Sequence, residues 1–115
     1  MAEECIFCRI VAGEVPGDIV YQDEDFLAFR DISPQAPTHL LIIPKIHITS
    51  SAELTEEQQE LAGRLIIIAK NLAEKESIDK RGYRLVMNCG PDGGQAVPHL
   101  HLHIIGGRRL DDRLG

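Results

Sequence analysis

Three histidines, His99, His101 and His103, alternate with leucines and are followed by two isoleucines. Successive side chains of a β-strand point to opposite faces, so this alternation places all three imidazoles on one face at intervals of about 6.5–7 Å. The leucines between them then enter a core on the other face. The pattern therefore predicts a strand over His99–Ile105 with one face that carries imidazoles, the commonest acid–base groups and metal ligands near neutral pH.

The length of 115 residues predicts a single domain over 1–115, large enough to bury one core. Twelve Lys and Arg residues against 18 Asp and Glu residues give a formal net charge of −6, which argues against a nucleic-acid-binding surface. The longest apolar runs are too short to cross a membrane, so we expect no membrane partner. An acidic first segment without a signal sequence and an odd count of three cysteines predict a cytoplasmic protein.

Hydrophobic periodicity and turn residues predict an α+β fold with a mainly antiparallel sheet. The predicted elements are a short helix at Cys5–Ala12 and strands at Ile19–Gln22, Phe26–Arg30, His39–Pro44, Arg84–Asn88 and His99–Ile105. Thr55 and Gln58 form a capping box, from which a helix of about twenty residues should follow. Its apolar stripe is wider than one sheet face needs, which fits either a broad core helix or a helix that also contacts a second copy.

The histidine strand supports two kinds of chemistry. A structural histidine usually occurs singly, so three on one face indicate a functional site. Three neutral imidazoles are one ligand set for catalytic zinc, but residues i, i+2 and i+4 of a strand span roughly 13 Å, too far for all three to bind one ion. The other hypothesis is nucleophilic catalysis, with His101 as the nucleophile because a histidine flanks it on each side.

The segment that precedes this strand, from Asn88 to Ala96, contains three glycines and a proline and is predicted to be a loop. Glycines allow main-chain N–H groups to converge on an anion without obstruction by side chains. Alone this is a weak signal, but its position before the histidines favours a phosphate-binding loop.

A second cluster of metal-ligating residue types begins at the Cys5-x-x-Cys8 motif. His47 follows a predicted strand, and His99 can supply a fourth ligand, which together make a tetrahedral Cys₂His₂ zinc site. A metal-free thiol pair and a redox-active pair are the alternatives. Cys89 has no partner in this scheme and is interpreted as structural.

At this point the sequence resembles a known family. The segment His99-Leu-His101-Leu-His103-Ile-Ile resembles the signature of the histidine-triad (HIT) superfamily. The segments 29–39, 43–45 and 93–95 resemble its Hint branch, the nucleoside phosphoramidases. The resemblance implies a five-stranded antiparallel sheet with two helices, paired as a homodimer.

The resemblance also implies an activity, the hydrolysis of purine nucleoside 5′-phosphoramidates through a nucleotidyl-histidine intermediate. His101 would attack the α-phosphorus, His39 would hold the other ring nitrogen of the nucleophile, and His103 would contact phosphate oxygens. No metal is required for this chemical step. AMP, GMP and their phosphoramidates are the expected ligands.

Further residues match the nucleotide-binding positions of the family. Asp31 matches the carboxylate that accepts both ribose hydroxyls, and a set of apolar residues matches the purine slot: Phe7, Ile10, Phe29, Ile32 and Leu41. Asn88 and the main chain of Gly94, Gln95 and Ala96 match the phosphate contacts. In most other folds the apolar residues would be core and Asp31 an exposed turn residue. Ala96 departs from the family, which has a serine near the leaving group, so a slower reaction or other leaving groups would follow if that hydroxyl helps to protonate the amine.

The zinc hypothesis gains from the same resemblance, because Cys5, Cys8 and His47 resemble the ligands of zinc-carrying bacterial members. In that arrangement the first histidine of the triad, here His99, is the fourth ligand of a structural site. Three other functions remain open at this point. They are dinucleoside polyphosphate hydrolysis or nucleotidyl transfer, nucleotide binding for regulation with incidental hydrolysis, and catalysis by a metal held at the triad. The loop from Asp31 to Thr38 and the Gly93-Gly94-Gln95 turn favour the phosphoramidase over the first of these.

Overall fold

The computed structural model describes residues 5–114. Within that range the chain forms two α-helices and five strands in the order α1 (Ile6–Val11), β1 (Ile19–Gln22), β2 (Phe26–Arg30), β3 (Thr38–Pro44), α2 (Gln59–Lys75), β4 (Tyr83–Val86) and β5 (Leu102–Gly106). The strands form one sheet with the spatial order β1-β2-β3-β5-β4, and each neighbouring pair is antiparallel. The predicted α+β fold with an antiparallel sheet is confirmed.

The apolar segment predicted as a central strand is confirmed as β3, which lies between β2 and β5 and is buried at every position. Its side chains alternate between two cores. One face of the sheet packs against α2, and the cluster there includes Phe26, Ala28, Leu40, Ile42, Leu102 and Ile104. The other face packs against α1 through Leu27, Phe29, Leu41 and Ile43.

The predicted helix after Thr55 begins with a 3₁₀ turn, Glu56–Gln58, and continues as the 17-residue α2. The side chain of Gln58 accepts a hydrogen bond from the Thr55 N–H at 3.0 Å, as the capping box predicted. In the apolar stripe of this helix, Leu65, Ile68 and Leu72 are buried against the sheet and Leu61 is half-buried, whereas Ile66 and Ile67 at its margin are 49 % and 57 % exposed. The helix therefore serves the core and also presents apolar side chains outward.

The first helix, α1, has only six residues, too few to be stable without tertiary contacts. Its N-cap is Cys5, whose sulfur accepts a hydrogen bond from the Cys8 N–H at 3.4 Å. Phe7 and Ile10 are buried in the second core. These contacts hold α1 against the face of the sheet that carries His39 and His103.

The last strand is shorter than predicted, because β5 begins at Leu102 and not at His99. Register places Ile42 opposite Leu102, so Pro44 would lie opposite Leu100 in a longer ladder. Pro44 has no N–H to donate, and its carbonyl oxygen lies 2.9 Å from the His99 ring instead. Leu100 donates its N–H to the Ile48 carbonyl, which takes this segment out of the sheet.

The edge strand is also displaced from its prediction, since β4 covers Tyr83–Val86 and not Arg84–Asn88. The last pair between β4 and β5 is Val86 with His103. His103 is the second residue of β5, so the pairing ends close to the point where β5 begins. No helix within residues 5–114 is both long enough and apolar enough to cross a membrane.

Candidate active site

Neighbouring strands bring the first two site histidines together. His39 lies on β3 and His103 on β5, where the register places His103 opposite Leu41, two residues after His39 and on the same face. The His39 and His103 ring centroids are 5.1 Å apart, and the His101 ring lies 5.0 Å from His103. The prediction of three evenly spaced imidazoles on one strand is wrong, because only His103 of the three belongs to β5.

Hydrogen bonds determine which ring nitrogens of His39 and His103 carry protons. The Gln35 N–H donates to His39 Nδ1 at 3.0 Å, so a neutral His39 carries its proton on Nε2. His39 Nε2 lies 2.9 Å from His103 Nδ1. The Nε2–H of His39 therefore donates a hydrogen bond to His103 Nδ1. A neutral His103 is then left with its own proton on Nε2. His103 thus presents an N–H donor on the side of its ring away from His39.

His101 is held by a main-chain group. Its Nδ1 lies 2.7 Å from the carbonyl oxygen of His99, and a carbonyl oxygen can only accept, so the proton of a neutral His101 lies on Nδ1. The lone pair on Nε2 is then available to attack. Phe7 packs edge-on against this ring at a centroid distance of 5.2 Å. The ring of His101 is therefore oriented from two sides.

The contact expected between His39 and His101 is not made. His39 contacts His103 instead, and its Nε2 lies 3.3 Å from an oxygen of Asp31. The physical reason is register, because His39 on β3 lies diagonally beside His103 on β5, whereas His101 lies beyond the end of the ladder. The main chain of His99 takes the role that the family resemblance implies for His39.

Burial keeps this network neutral. Burial, together with the nearby rings of His101 and His39, lowers the pKa of His103 to about 4 against the opposing effect of Asp31. Burial likewise lowers the pKa of His39, and Asp31 again opposes the change. Both rings are therefore uncharged at neutral pH, in agreement with the proton positions that the hydrogen bonds require.

The predicted metal ligands come together in one cluster. Potential ligand atoms of Cys5, Cys8, His47 and His99 all lie within 4.8 Å of one another. His99 Nδ1 is 3.3 Å from the Cys5 sulfur, and His47 Nδ1 is 3.2 Å from the Cys8 sulfur. Two sulfurs and two imidazole nitrogens form a ligand set that suits a tetrahedral ion. This cluster could hold a metal ion.

The orientation of His99 fits this use. Its Nε2 lies 2.9 Å from the Pro44 carbonyl oxygen, so Nε2 carries the proton and Nδ1 faces the sulfurs with a free lone pair. Burial and the adjacent Cys5 raise the pKa of the Cys8 thiol to about 11. A divalent cation would displace such a thiol proton, because thiolate is the form that ligates.

A second group of metal-ligating types consists of Asp31, His39 and His103. Here the nitrogens that face each other, His39 Nε2 and His103 Nδ1, are already joined by a hydrogen bond of 2.9 Å. A metal would have to replace that bond and the proton in it. The Cys and His cluster is therefore the better metal site.

The residues predicted to form an apolar slot are brought together with one exception. Phe7, Ile10, Phe29 and Leu41 belong to the same buried cluster on the side of α1, and the Phe7 and Phe29 rings meet edge-on at 5.4 Å. Ile32 is 97 % exposed and lies outside this cluster. Asp31 is half-buried, and its Oδ1 accepts a hydrogen bond from the Ser33 N–H at 2.8 Å.

The predicted glycine loop is held closed by side chains. Asn88 Nδ2 donates to the Gly93 carbonyl at 2.7 Å. The Gln95 amide accepts from the Gly90 N–H and donates to the carbonyls of Thr49 and Val97, at 2.7–2.9 Å. Gln95 therefore pins the loop to the segment after β3.

The main-chain N–H groups of this loop differ in their availability. Those of Gly94 and Gln95 donate within the turn, to Pro91 and Gly90 at 3.0 Å. Of the three predicted main-chain phosphate contacts, only the Ala96 N–H lacks an acceptor among residues 5–114. It is thus the one that a ligand can use without opening the turn.

Sequence reasoning missed four contributors to this site. They are the His99 carbonyl, the Pro44 carbonyl, the Gln35 N–H and the side chain of Gln95. The first three are main-chain groups, which every residue carries, so no residue pattern could have identified them. The sequence predicts a role for the main chain of Gln95 and not for its side chain, although a glutamine between glycines and a strand is a candidate for loop fixation.

The fold and the site together define a class: α+β proteins in which a main-chain-oriented histidine and a neutral histidine pair lie at the centre of an antiparallel sheet. The HIT domain family model matches residues 12–110. The chain belongs to the HIT family.

Relatives in sequence and structure agree with this assignment. The chain is 53 % identical over 114 residues to the purine nucleoside phosphoramidase of Escherichia coli K12, a match that covers 99 % of this chain and 96 % of that protein. An uncharacterised HIT-like protein of Synechococcus elongatus is 51 % identical over 110 residues, or 96 % of each chain. The crystal structure of a HIT family hydrolase from Legionella pneumophila superposes with a TM-score of 0.95 at 49 % identity and covers 97 % of this chain and 100 % of that one.

Proposed function

We propose that the protein hydrolyses the P–N bond of purine nucleoside 5′-phosphoramidates through a nucleotidyl intermediate on His101. The observation that carries this proposal is the 2.7 Å contact between His101 Nδ1 and the His99 carbonyl, which in the neutral ring puts the proton on Nδ1 and leaves the lone pair of Nε2 free. The 53 % identity to a purine nucleoside phosphoramidase supports it independently. AMP-amine and GMP-amine compounds are the proposed substrates, including those in which the amine is a lysine side chain.

The reaction proceeds in two displacements at phosphorus. His101 Nε2 attacks the α-phosphorus, the P–N bond breaks, and the amine leaves with one proton taken from solvent. Water then attacks the phosphorus of the nucleotidyl-histidine and returns one proton to solvent, which releases the nucleoside 5′-phosphate and restores His101. A covalent intermediate replaces one difficult displacement by two easier ones.

His103 and His39 act on the phosphate without changing charge. The Nε2–H of His103 donates to a non-bridging phosphate oxygen, where negative charge accumulates during attack. His39 holds His103 in the required tautomer through its own Nε2–H. Because both rings are neutral at pH 7, they contribute oriented dipoles and no net charge.

In this proposal the nucleotide lies beside α1, on the face of the sheet that carries His39 and His103. The buried cluster of Phe7, Ile10, Phe29 and Leu41 forms the floor of the purine slot, and the exposed Ile32 closes over the base. Asp31 accepts from the ribose hydroxyls. Asn88 and the loop of Gly94, Gln95 and Ala96 bind the phosphate, with the Ala96 N–H as the direct donor.

We further propose that Cys5, Cys8, His47 and His99 hold a structural zinc ion. Zinc supplies a cross-link between α1, the segment after β3 and the residues before β5, and it takes no part in bond breaking. Cys5, Cys8 and His99 suit this role because they are buried or half-buried and His99 is already oriented by Pro44. Loss of zinc is expected to lower stability first and activity second.

A homodimer in the cytoplasm completes the proposal, with residues 1–115 as one HIT domain and neither nucleic acid nor membrane as a partner. Two exposed isoleucines of α2, Ile66 and Ile67, and the unpaired edge of β4 lie on surfaces suited to contact a second copy. Joining two β4 edges would satisfy main-chain groups that an isolated sheet leaves to water.

The test is release of AMP from adenosine 5′-phosphoramidate by the purified protein and by His101→Ala, each with and without brief exposure to a chelator. We expect the unsubstituted protein to release AMP at the same rate with and without brief chelation. His101→Ala should release no AMP but should still bind it. A matched control is His47→Ala, which removes an imidazole from the metal cluster; it should lower the melting temperature but retain turnover at temperatures where circular dichroism shows it to be folded. Turnover by His101→Ala would refute the nucleophile. If the unsubstituted protein binds AMP without turnover, the protein is a nucleotide-binding regulator, and if chelation stops turnover of folded protein, a metal is catalytic.

A further inference from the structure

Four arginines gather at the end of the sheet where β5 ends and β4 begins. Arg81 and Arg84 lie in and just after the turn that leads from α2 into β4, and Arg108 and Arg109 follow β5. The pairing of Tyr83 with Gly106 brings these two segments side by side. In a chain with a formal charge of −6 and only 12 Lys and Arg residues, this is a marked local concentration of positive charge.

The arginines surround two adjoining cavities. One, of about 280 Å³, is lined by three of the arginines, Arg81, Arg108 and Arg109. The rest of its lining consists of Ser77, Ile78, Gly82 and Gly107. The other, of about 260 Å³, is lined by the same three arginines, by Asp112 and by Arg84 of β4, the edge strand that we propose contacts a second copy. The cavities share Arg81, Arg108 and Arg109, so one elongated ligand could contact both.

Little in the structure neutralises this charge. Arg108 donates to the carbonyls of Gln35 and Arg109, and Arg84 donates to the carbonyl of Asp111. Carbonyls satisfy N–H groups but carry no net charge. Asp112 lies 3.8 Å from Arg109, but both side chains are about nine-tenths exposed, and such pairs contribute little.

Two other arginines of the protein are paired directly with carboxylates. Arg30 binds Glu76 with two hydrogen bonds of 2.9 and 3.0 Å, and Arg64 binds two aspartates at 2.8 and 3.0 Å. For Arg81, by contrast, residues 5–114 provide neither a hydrogen-bond acceptor nor a carboxylate partner. Within residues 5–114, Arg81, Arg84 and Arg108 of the cluster thus have no carboxylate partner.

We propose that the arginine cluster is a binding site for a small anion with two or more phosphate groups. The planar fork of a guanidinium matches phosphate oxygens in bidentate geometry and retains its charge throughout the physiological pH range. Two adjoining cavities that share three arginines suit two linked phosphate groups better than one. Gly82 and Gly107, with φ values of +103° and +97°, place no side chain in the way.

The site is distinct from the proposed nucleotide site but is connected to it. Arg108 donates to the carbonyl of Gln35 at 2.9 Å, and the N–H of Gln35 donates to His39. An anion that draws Arg108 away from Gln35 would therefore act on the loop that fixes the tautomer of His39. The binding proposal stands independently of this connection and of the reaction at His101.

The test is isothermal titration of sodium pyrophosphate into the zinc-loaded protein, with AMP present in excess to occupy the histidine site. We expect one pyrophosphate per chain, and binding weakened about tenfold or more in Arg81→Gln/Arg109→Gln, which removes two bidentate donors. The matched control, Lys45→Gln/Lys70→Gln, removes the same charge elsewhere and should bind within about twofold of the unsubstituted protein, because bidentate contacts and not net charge provide the affinity. Circular dichroism and zinc content verify that each variant is folded and loaded.

Three outcomes would overturn the proposal. Absence of binding at millimolar pyrophosphate would show that the cluster is only a solvated surface. An equal loss of affinity in both double variants would assign the effect to net charge. Inorganic phosphate that binds as tightly as pyrophosphate, or an oligoglutamate peptide that binds more tightly than either, would refute the selectivity for linked phosphate groups.

Discussion

Acidification tests the neutral histidine pair directly. Burial and neighbouring rings lower the pKa of His103 to about 4, against about 6.5 for an exposed histidine. At pH 5.5 an ordinary histidine is about 90 % protonated, whereas a ring with a pKa of about 4 is only about 3 % protonated. We therefore expect His103 to stay neutral from pH 8 to pH 5.

The same difference affects stability. Between pH 6.5 and about 4 the unfolded chain binds a proton at His103 that the folded chain does not bind, so the free energy of unfolding falls as the pH falls through this window. If the whole difference in pKa were converted to free energy, the free energy of unfolding would fall by about 3 kcal/mol across this window. Solvent screening of a half-buried ring reduces the expected fall to about 1–2 kcal/mol. Above pH 6.5 the contribution of His103 is constant.

The assay is an NMR titration of the histidine ring Cε1–H signals of the zinc-loaded protein, with His103→Gln used to assign the signal. Asp31 opposes the lowering of the pKa at both His103 and His39, so Asp31→Asn should lower both values further. Asp25→Asn, which removes a carboxylate paired with Arg64, is the control and should leave both unchanged. A midpoint for His103 between pH 6 and 7 would refute the buried, neutral pair and the tautomers assigned to it.

Three other predictions concern the metal, the backbone and the leaving group. Cys8→Ser should lower the zinc content and the melting temperature, and an unchanged metal content in elemental analysis would exclude the Cys₂His₂ site. Gly63→Ala, in α2 with open space around the new methyl group, should raise the free energy of unfolding by about 1 kcal/mol in urea titrations. Gly107→Ala should lower the free energy of unfolding by about 1–3 kcal/mol, because φ at this position is +97° and the new methyl group would lie 2.9 Å from Pro37. Equal effects of the two glycine substitutions would contradict this reasoning. Ala96→Ser should raise the rate of AMP release from amine substrates if a hydroxyl there protonates the leaving nitrogen, while an unchanged kcat would assign that proton to another donor.

Much of the fold was predictable because local and tertiary preferences agree. The first two strands have the predicted bounds, and Asp23 in the turn between them accepts N–H groups from Asp25 and Phe26, as an acidic hairpin turn should. The capping box at Thr55 marked the start of the second helix. The Cys and His cluster was predictable from residue types alone, because few other arrangements use two cysteines and two histidines.

The parts that differed depend on interactions that residue patterns do not encode. The alternation at His99 indicates a strand, but Pro44 ends the ladder from the neighbouring strand, and the two positions become adjacent only in the folded sheet. The partner of His101 is a carbonyl group, which has no signature in sequence. The exposure of Ile32 likewise follows from loop geometry and not from its apolar character.

The strand order has a consequence for how activity appears during folding. His39 and His103 are 64 residues apart in sequence, and their contact requires β3 and β5 to pair after the intervening helix and edge strand have been accommodated. Contacts of high sequence separation form slowly because loop closure is entropically costly. Helical circular dichroism should therefore return early during refolding, while AMP release recovers only with the last long-range pairing, which makes catalysis a reporter of complete folding.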